Sequence, residues 1–103
     1  QFLRHVERCR VLVQLVDLSS FEGSAAADLA TVEHELEAFK PELLARPRIL
    51  VGSKLDSARE ERRLELAHAA AERGLPYLEI SSATGAGLDA LLGELARRLE
   101  RAA

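Results

Sequence analysis

Lys54 and Asp56 are the charged side chains in this sequence whose spacing best suits ligand chemistry. They follow a stretch of strand character from Arg48 to Val51 and a small turn at Gly52 and Ser53. The two oxygens of Asp56 can accept hydrogen bonds from two adjacent N–H groups, as on the Watson–Crick edge of guanine, whereas adenine lacks that pair of donors. The Lys54 stem can lie across a purine face while its ammonium group reaches a phosphate or a sugar. The pattern predicts a base-binding loop.

A second loop, residues 81–87 (SSATGAG), supplies the other kind of group that such a site needs. It is rich in glycine, so its backbone can approach a ligand closely and offer N–H donors to a carbonyl oxygen. In an open α/β sheet both loops would lie at the carboxyl ends of strands, where ligands bind. The triplet Lys-x-Asp by itself decides nothing, because it occurs by chance in roughly a quarter of chains of this length.

Strands, turns and helices alternate along the chain, which predicts a parallel sheet with right-handed crossovers and flanking helices. The predicted strands are residues 11–17, 48–51 and 77–81, and the predicted helices are residues 28–40, residues 58–73 (from Ser57 or Ala58) and the stretch after Gly87. Residues 1–7 are expected to end a further helix, and residues 18–27 to form a mobile loop. Residues 41–47 form a short connector whose Leu43 and Leu44 pack under the sheet.

Side-chain environments follow from these elements. The apolar stretch from Val11 to Asp17 is typical of a strand covered on both faces, and Leu55 is expected to point into the core. Apolar residues recur at helical spacing in two helices and predict buried faces there: Leu29, Val32, Leu36 and Phe39 in the first, and Leu88, Leu91, Leu92, Leu95 and Leu99 in the last. The charged residues expected outside the core are Glu33, Glu35 and Glu37, facing outward, and Glu79, facing solvent or a neighbouring chain.

Composition bounds the possible functions. The chain has 103 residues, starts at Gln1 and contains no methionine, so we expect it to be one domain or a fragment of a longer protein. Apolar residues make up 48% and charged residues 30%, which is typical of a folded globular domain. A net charge of −3 and 4% aromatic residues argue against direct nucleic-acid binding. No apolar run reaches the roughly 18 residues of a membrane span, so no membrane association is expected.

Cysteine and histidine usage adds two expectations. The single cysteine, Cys9, excludes an internal disulfide and fits a reducing compartment, most simply the cytoplasm. It precedes an apolar strand and is expected to be packed. The three histidines, His5, His34 and His68, lack the spacing of metal ligands. No metal site is therefore predicted in this sequence.

Three successive segments, FLRHVERCRVLVQLVD, ELEAFKPELLARPRILVGSKLD and EISSATGAGL, resemble the Obg family of GTPases in order and spacing. The resemblance covers nearly the whole chain and corresponds to the carboxyl-terminal half of the GTP-binding domain. It implies a three-layer α/β fold with three parallel strands and flanking helices, the second half of a P-loop GTPase domain. Residues 1–103 would then form a partial G domain that lacks the phosphate-loop half, and the implied ligand is GTP or GDP.

The family's central loop is Asn-Lys-x-Asp, and Lys54 and Asp56 match it while Ser53 replaces the asparagine. A lost neutral hydrogen bond there is worth about 1 kcal/mol, or roughly fivefold in affinity. The family's Ser-Ala loop aligns with Ser81 and Ser82, and the resemblance implies that the Ser82 backbone N–H binds guanine O6. The implied nucleotide-binding residues are Ser53, Lys54, Asp56, Ser81, Ser82 and Ala83. Asp17, also expected in the family, is assigned a structural role.

The sequence contains no G-x-x-x-x-G-K-[ST] phosphate loop, switch threonine or D-x-x-G element. In the Obg family these lie upstream of the segment that starts at Gln1, so the resemblance places the Mg²⁺ ligands and all catalytic residues outside this chain. The chain alone is expected to show no GTP turnover and at most weak nucleotide binding. The parent protein would be a cytoplasmic GTPase that acts in assembly of the large ribosomal subunit.

Two alternatives remain open at this point. The chain could be a nucleotide-independent interaction module on a GTPase-like scaffold, with Ser53 marking loss of base recognition, or it could belong to another GTPase of the same superfamily. The strand from Val11 to Asp17 is further expected to have a bare edge. Bare apolar edges pair with other chains, so self-association through this edge is predicted.

Overall fold

The structure is a computed structural model that describes residues 10–102, with the backbone only for residues 101 and 102. The predicted helix end at residues 1–7 and the predicted packing of Cys9 lie outside the described residues. The strands are β1 (Leu12–Asp17), β2 (Arg48–Ser53) and β3 (Tyr77–Glu79), the α-helices are α1 (Ala25–Phe39), α2 (Glu60–Arg73) and α3 (Leu88–Ala102), and short 3₁₀ helices span Pro41–Ala45 and Leu55–Ser57.

The three strands form one parallel sheet in the order β1-β2-β3. Leu12 pairs with Arg48 at the start of β1, and Asp17 pairs with Ser53 at its end. The carboxyl ends of the strands therefore lie along the same edge. Helices pack on both faces of the sheet, so the predicted three-layer α/β fold, the second half of a P-loop GTPase domain, is confirmed.

Alternation along β2 explains the two layers of helices, because successive side chains of a strand point to opposite faces of the sheet. Leu50 packs on one face with residues of α1 and α2, and Ile49 and Val51 pack on the other face against α3. All three side chains are fully buried. A third small cluster joins β1, α1 and the 3₁₀ helix Pro41–Ala45 through Leu12, Leu36 and Leu43, which confirms the predicted connector.

The prediction that the first strand is covered on both faces is wrong. Leu15 in β1 is 59% exposed: β1 lies at the edge of the sheet, and the cluster packed with α3 includes Val11 and Val13 but not Leu15. The leucine stripe of α3 is accordingly divided. Leu88, Leu91 and Leu95 pack against the sheet, whereas Leu92 and Leu99 are exposed, as are Val32 and Phe39 of α1.

Several element boundaries differ from the prediction. Helix α1 begins at Ala25, three residues early, because the Ser24 side chain caps it by accepting a hydrogen bond from the Ala27 N–H. The loop before it is therefore residues 18–24. Strand β2 continues through Gly52 and Ser53, where a turn was predicted. Helix α2 begins at Glu60, two residues later than predicted. Strand β3 ends at Glu79, two residues earlier than predicted.

Two glutamates that were expected outside the core lie in ion pairs between elements. Glu33 accepts hydrogen bonds from Arg48 and Arg73 at 2.8 and 2.9 Å. Partial burial raises the pKa of Glu33, but the bonds from Arg73 and Arg48 outweigh it and hold that pKa below its ordinary value. Glu79 accepts hydrogen bonds from Nε and Nη2 of Arg63 at 3.0 and 2.9 Å. Glu35 and Glu37 are exposed, as predicted.

Candidate functional site

Three loops meet at the carboxyl edge of the sheet: residues 18–24, residues 53–57, which we call the base loop, and residues 81–87, which we call the second loop. Main-chain hydrogen bonds tie them together. The Leu18 N–H donates to the Ser53 carbonyl at 3.1 Å, and the Leu55 N–H donates to the Ile80 carbonyl at 2.9 Å. The base loop is thus fixed on both sides by its neighbours.

The backbone of the base loop turns at Lys54. This residue has φ 59° and ψ 43°, and it is the one non-glycine residue with positive φ among residues 10–102. Gly52, just before the turn, lies at the end of β2, where a Cβ would be 2.6 Å from Leu18 Cδ1 and 2.9 Å from Tyr77 Oη. Leu55 is half-buried and belongs to none of the core clusters, so the prediction that it points into the core is wrong.

Asp56 of the base loop is joined directly to the second loop. The Ser81 hydroxyl donates to Asp56 Oδ1 at 2.7 Å and itself accepts a hydrogen bond from the Thr84 N–H at 3.1 Å. Ser81 is buried, whereas Asp56 is exposed. The bond from Ser81, aided by Ser57, lowers the pKa of Asp56. The Ser57 hydroxyl donates to the other oxygen, Oδ2, at 3.3 Å, and the carboxylate is exposed to further donors.

Next to Ser81, the second loop presents main-chain donors. Ser82 and Ala83 are exposed, and within residues 10–102 no acceptor receives the Ser82 N–H. Ser53 lies differently, since it is half-buried at the end of β2 and its hydroxyl donates to the Val16 carbonyl at 3.4 Å. The structure therefore brings Asp56 and Ser81 together, and places Ser82 and Ala83 on the same loop.

Lys54 pairs with Asp17, at the end of β1. Its ammonium nitrogen lies 3.2 Å from Asp17 Oδ2, while Oδ1 accepts hydrogen bonds from the Ser19 N–H and hydroxyl, both at 2.7 Å. The bonds from Ser19, with a smaller contribution from Lys54, lower the pKa of Asp17 to about 2. Asp17 thus holds both the start of loop 18–24 and the Lys54 side chain.

These lowered pKa values predict a loss of stability in acid. The pKa of Asp17 falls from 3.8 to about 2 on folding, so its stabilising contribution is complete above pH 5 and is lost as the pH falls towards 2. Urea unfolding of the chain at pH 7, 5, 4 and 3 should show this decline, and Asp17→Asn should make it shallower. A decline that is equally steep in Asp17→Asn would contradict the assignment of the low pKa to this carboxyl group.

Sequence reasoning missed Arg62 and Arg59 at the start of α2. The Arg62 side chain is 1% exposed and donates to the Asp17 carbonyl at the end of β1 and to the Glu22 and Gly23 carbonyls of loop 18–24. Arg59 donates its N–H to the Leu18 carbonyl at 2.9 Å. The signal was present, because Arg62 has helical spacing to the buried residues Leu66 and Ala69 and so falls on the buried face of α2.

Two further features are absent from the residues that the structure describes. Within residues 10–102 no group of three or more histidine, cysteine, aspartate or glutamate side chains is arranged to hold a metal ion. None of the helices in that part of the chain combines the length and the apolar character needed to cross a lipid bilayer.

A parallel three-stranded sheet with helices on both faces and loops that meet at its carboxyl edge defines the class: this is half of a P-loop GTPase domain. No model of a protein family matches the chain. It is 46% identical to GTPase Obg of Solibacter usitatus over 96% of the chain, 43% identical to GTPase Obg of Syntrophotalea carbinolica over 98%, and 46% identical to GTPase Obg of Desulforudis audaxviator over 97%.

The segment described here belongs to the Obg family. The chain spans 30%, 29% and 24% of the lengths of these three relatives. The match therefore assigns this segment, and not a whole protein, to the family.

Proposed function

We propose that this chain binds the guanine base of GTP or GDP and forms the base-recognition part of an Obg-type GTPase. The observation that carries the proposal is the hydrogen bond of 2.7 Å from the Ser81 hydroxyl to Asp56 Oδ1. It joins two loops that are far apart in sequence, and in this proposal one base contacts both the exposed Asp56 carboxylate and the Ser82 N–H of the second loop. Guanine needs this combination, since it offers two N–H donors beside one carbonyl oxygen.

Each group has a distinct role in this proposal. The Asp56 carboxylate accepts from the two N–H groups of guanine, and the Ser82 N–H donates to its carbonyl oxygen, with Ala83 completing the exposed part of the second loop. The Lys54 stem covers one face of the purine. Adenine lacks the two adjacent donors, so it makes no paired hydrogen bonds with the carboxylate and binds more weakly than guanine.

Ser53 is the position where this chain departs from the family's Asn-Lys-x-Asp pattern. Its hydroxyl bonds to the Val16 carbonyl and is too short to replace all contacts of an asparagine amide. We expect the substitution to weaken nucleotide binding by about 1 kcal/mol, roughly fivefold, without abolishing it.

Hydrolysis of GTP belongs, in this proposal, to the natural polypeptide that carries this chain. Mg²⁺ would assist by neutralising phosphate charge, but residues 10–102 hold no group of metal ligands, so no catalytic step is assigned to them. The Obg resemblance further implies action in the cytoplasm and in assembly of the large ribosomal subunit, and we include both in the proposal. The chain alone should therefore show no GTP turnover.

Competition between nucleotides tests the proposal. The natural polypeptide is titrated with a fluorescent GDP analogue, and unlabelled GDP and ADP are added as competitors. We expect GDP to compete at least a hundredfold better than ADP, because adenine offers no pair of N–H donors to the Asp56 carboxylate. Equal competition by GDP and ADP would contradict the proposal. Absence of binding by the GDP analogue would contradict it too and would favour the second candidate, an interaction module that does not use nucleotide, for which Ser53 is the supporting observation.

A further prediction concerns the free edge of β1. Within residues 10–102 this strand pairs with β2 alone, and Leu15 at its centre is 59% exposed. We propose that the isolated chain self-associates by pairing along this edge. Light scattering at high protein concentration should give a mass above that of the monomer, and Leu15→Lys should restore the monomer.

Leu64 provides the control for the Leu15 variant. It is a leucine of similar exposure, 63%, on the surface of α2. Leu64→Lys should leave self-association unchanged. A clean monomer of the unaltered chain, or an equal effect of the two lysine substitutions, would contradict pairing through β1.

A further inference from the structure

Arg62 is a charged side chain that is almost completely enclosed, with 1% of its surface exposed. Its guanidinium group donates from Nε to the Asp17 carbonyl at 2.9 Å. From Nη1 it donates to the carbonyls of Glu22 and Gly23 at 3.2 and 3.3 Å, and from Nη2 it pairs with the carboxylate of Asp28. All four acceptors belong to residues 17–28.

The burial of this charge requires those acceptors. A buried guanidinium without partners would cost several kcal/mol of folding free energy, so the loop carbonyls and the Arg62 fork fix each other in place. Lysine has the same charge but lacks the planar fork, so it cannot reach acceptors on several sides at once. Arg62 therefore acts as a rigid support under residues 17–24.

Asp17 links Arg62 to the base loop. Arg62 holds the main chain of Asp17, Ser19 fixes the first carboxylate oxygen, and the second oxygen lies 3.2 Å from Lys54 Nζ. The Lys54 side chain is 63% exposed, so this ion pair is the contact that restrains it. Displacement of Asp17 would therefore free the Lys54 side chain of the base loop from this ion pair.

We propose that Arg62 is a positioning residue of the guanine site: it holds loop 18–24 and Asp17 so that the carboxylate restrains Lys54 over the purine. This inference rests on the proposed function, because it concerns the same base site. Arg62 lies outside both the base loop and the second loop, and in this proposal it acts only through Asp17 and Lys54.

A double-mutant cycle in the natural polypeptide tests the proposal. Calorimetry measures the dissociation constant for GDP, and thermal unfolding measures stability, in the unaltered protein, Arg62→Lys, Lys54→Ala and the double variant. We expect Arg62→Lys to raise the dissociation constant about 3- to 10-fold, but less than about twofold when Lys54 is already alanine, as for residues coupled in one network.

Arg73→Lys is the matched control. Arg73 lies at the other end of α2 and bonds to Glu33 and to the Ala69 carbonyl. Its replacement should lower stability without changing the dissociation constant for GDP. Should Arg62→Lys fail to fold, Asp17→Asn serves instead, since it keeps the main-chain bond to Arg62 and removes the charge that faces Lys54. It should raise the dissociation constant for GDP by a similar factor.

Three results would overturn the proposal. Arg62→Lys could lower stability and leave GDP binding unchanged, as Arg73→Lys does. It could weaken binding equally with and without Lys54, or Asp17→Asn could leave the dissociation constant unchanged. Each of these outcomes leaves the base site itself intact, whereas absence of GDP binding by the unaltered protein refutes the proposed function and this inference together.

Discussion

Replacing Asp56 by alanine in the natural polypeptide should weaken GDP binding by about 3 kcal/mol, or roughly a hundredfold, because two charge-assisted hydrogen bonds to the base are lost. The Ser81 hydroxyl, which bonds to Asp56 at 2.7 Å, also loses its acceptor. Calorimetric titration with GDP measures the change. Binding of ADP should be affected far less, since the carboxylate makes no paired contact with adenine.

Asp56→Asn is the control that keeps the size of the side chain but removes its charge and one of its two acceptor oxygens. The amide has nearly the same size, and its oxygen can still accept the bond from Ser81. It presents one acceptor and one donor, however, which suits xanthine better than guanine, because xanthine has an oxygen where guanine has its amino group. We expect Asp56→Asn to lose affinity for GDP and to gain affinity for xanthosine diphosphate. Unchanged GDP affinity in Asp56→Ala would contradict the role of this carboxylate.

Replacing Gly87 by alanine should lower the free energy of unfolding by about 3 kcal/mol, which combines steric overlap with backbone strain. A Cβ at this position would lie 2.1 Å from the Glu79 carbonyl oxygen and 3.3 Å from Ile80 Cα. These are backbone atoms at the end of β3 that cannot rotate away. The residue also has φ 77°, a conformation that side chains disfavour. Urea unfolding of the chain measures the loss.

Gly85 is the matched control in the same loop. It has φ 84°, but a Cβ there would meet nothing within 4 Å. Gly85→Ala should therefore cost only the backbone strain, about 1 kcal/mol. The difference in unfolding free energy between the two variants measures the cost of steric overlap between the second loop and β3. Equal losses of stability would show that Gly87 is not held against the strand in this way.

The architecture was predictable because apolar periodicity is a local property of the sequence. The mainly apolar stretches at Leu12–Asp17 and around Leu50 indicate strands, the leucine spacing indicates α3, and Gly74 with φ 65° ends α2 as a helix C-cap. The alternation of these elements then determines a parallel sheet, which places all the loops of interest at one edge. The juxtaposition of Asp56 and Ser81 follows from that topology.

The backbone of the base loop was less predictable. A glycine usually indicates a turn, but Gly52 is in β2, where it pairs with Val16 and Glu79, and Leu18 and Tyr77 occupy the space where a side chain would lie. The turn falls instead at Lys54, which adopts positive φ although it is not a glycine. Both features depend on neighbours distant in sequence, so no local pattern identifies them.

The ion pairs between elements could not be predicted from the sequence pattern either. Glu33 and Glu79 were expected outside the core and Arg62 was not singled out, yet each bonds to partners on another element. Such pairs form only when packing brings the elements together, and charged residues are rarely buried without them. The helical position of Arg62 indicated burial, but only the fold identifies loop 18–24 as its partner.

The central claim is that the Ser82 N–H and the Asp56 carboxylate bind one guanine base. The most direct test is nuclear magnetic resonance of the natural polypeptide labelled with ¹⁵N-serine, with the Ser82 signal assigned through Ser82→Ala. We predict that saturating GDP shifts the Ser82 amide proton strongly, as expected for a new hydrogen bond to a carbonyl oxygen, and that ADP at the same concentration leaves it in place. A Ser82 signal that GDP does not shift, or that ADP shifts equally, would contradict the account.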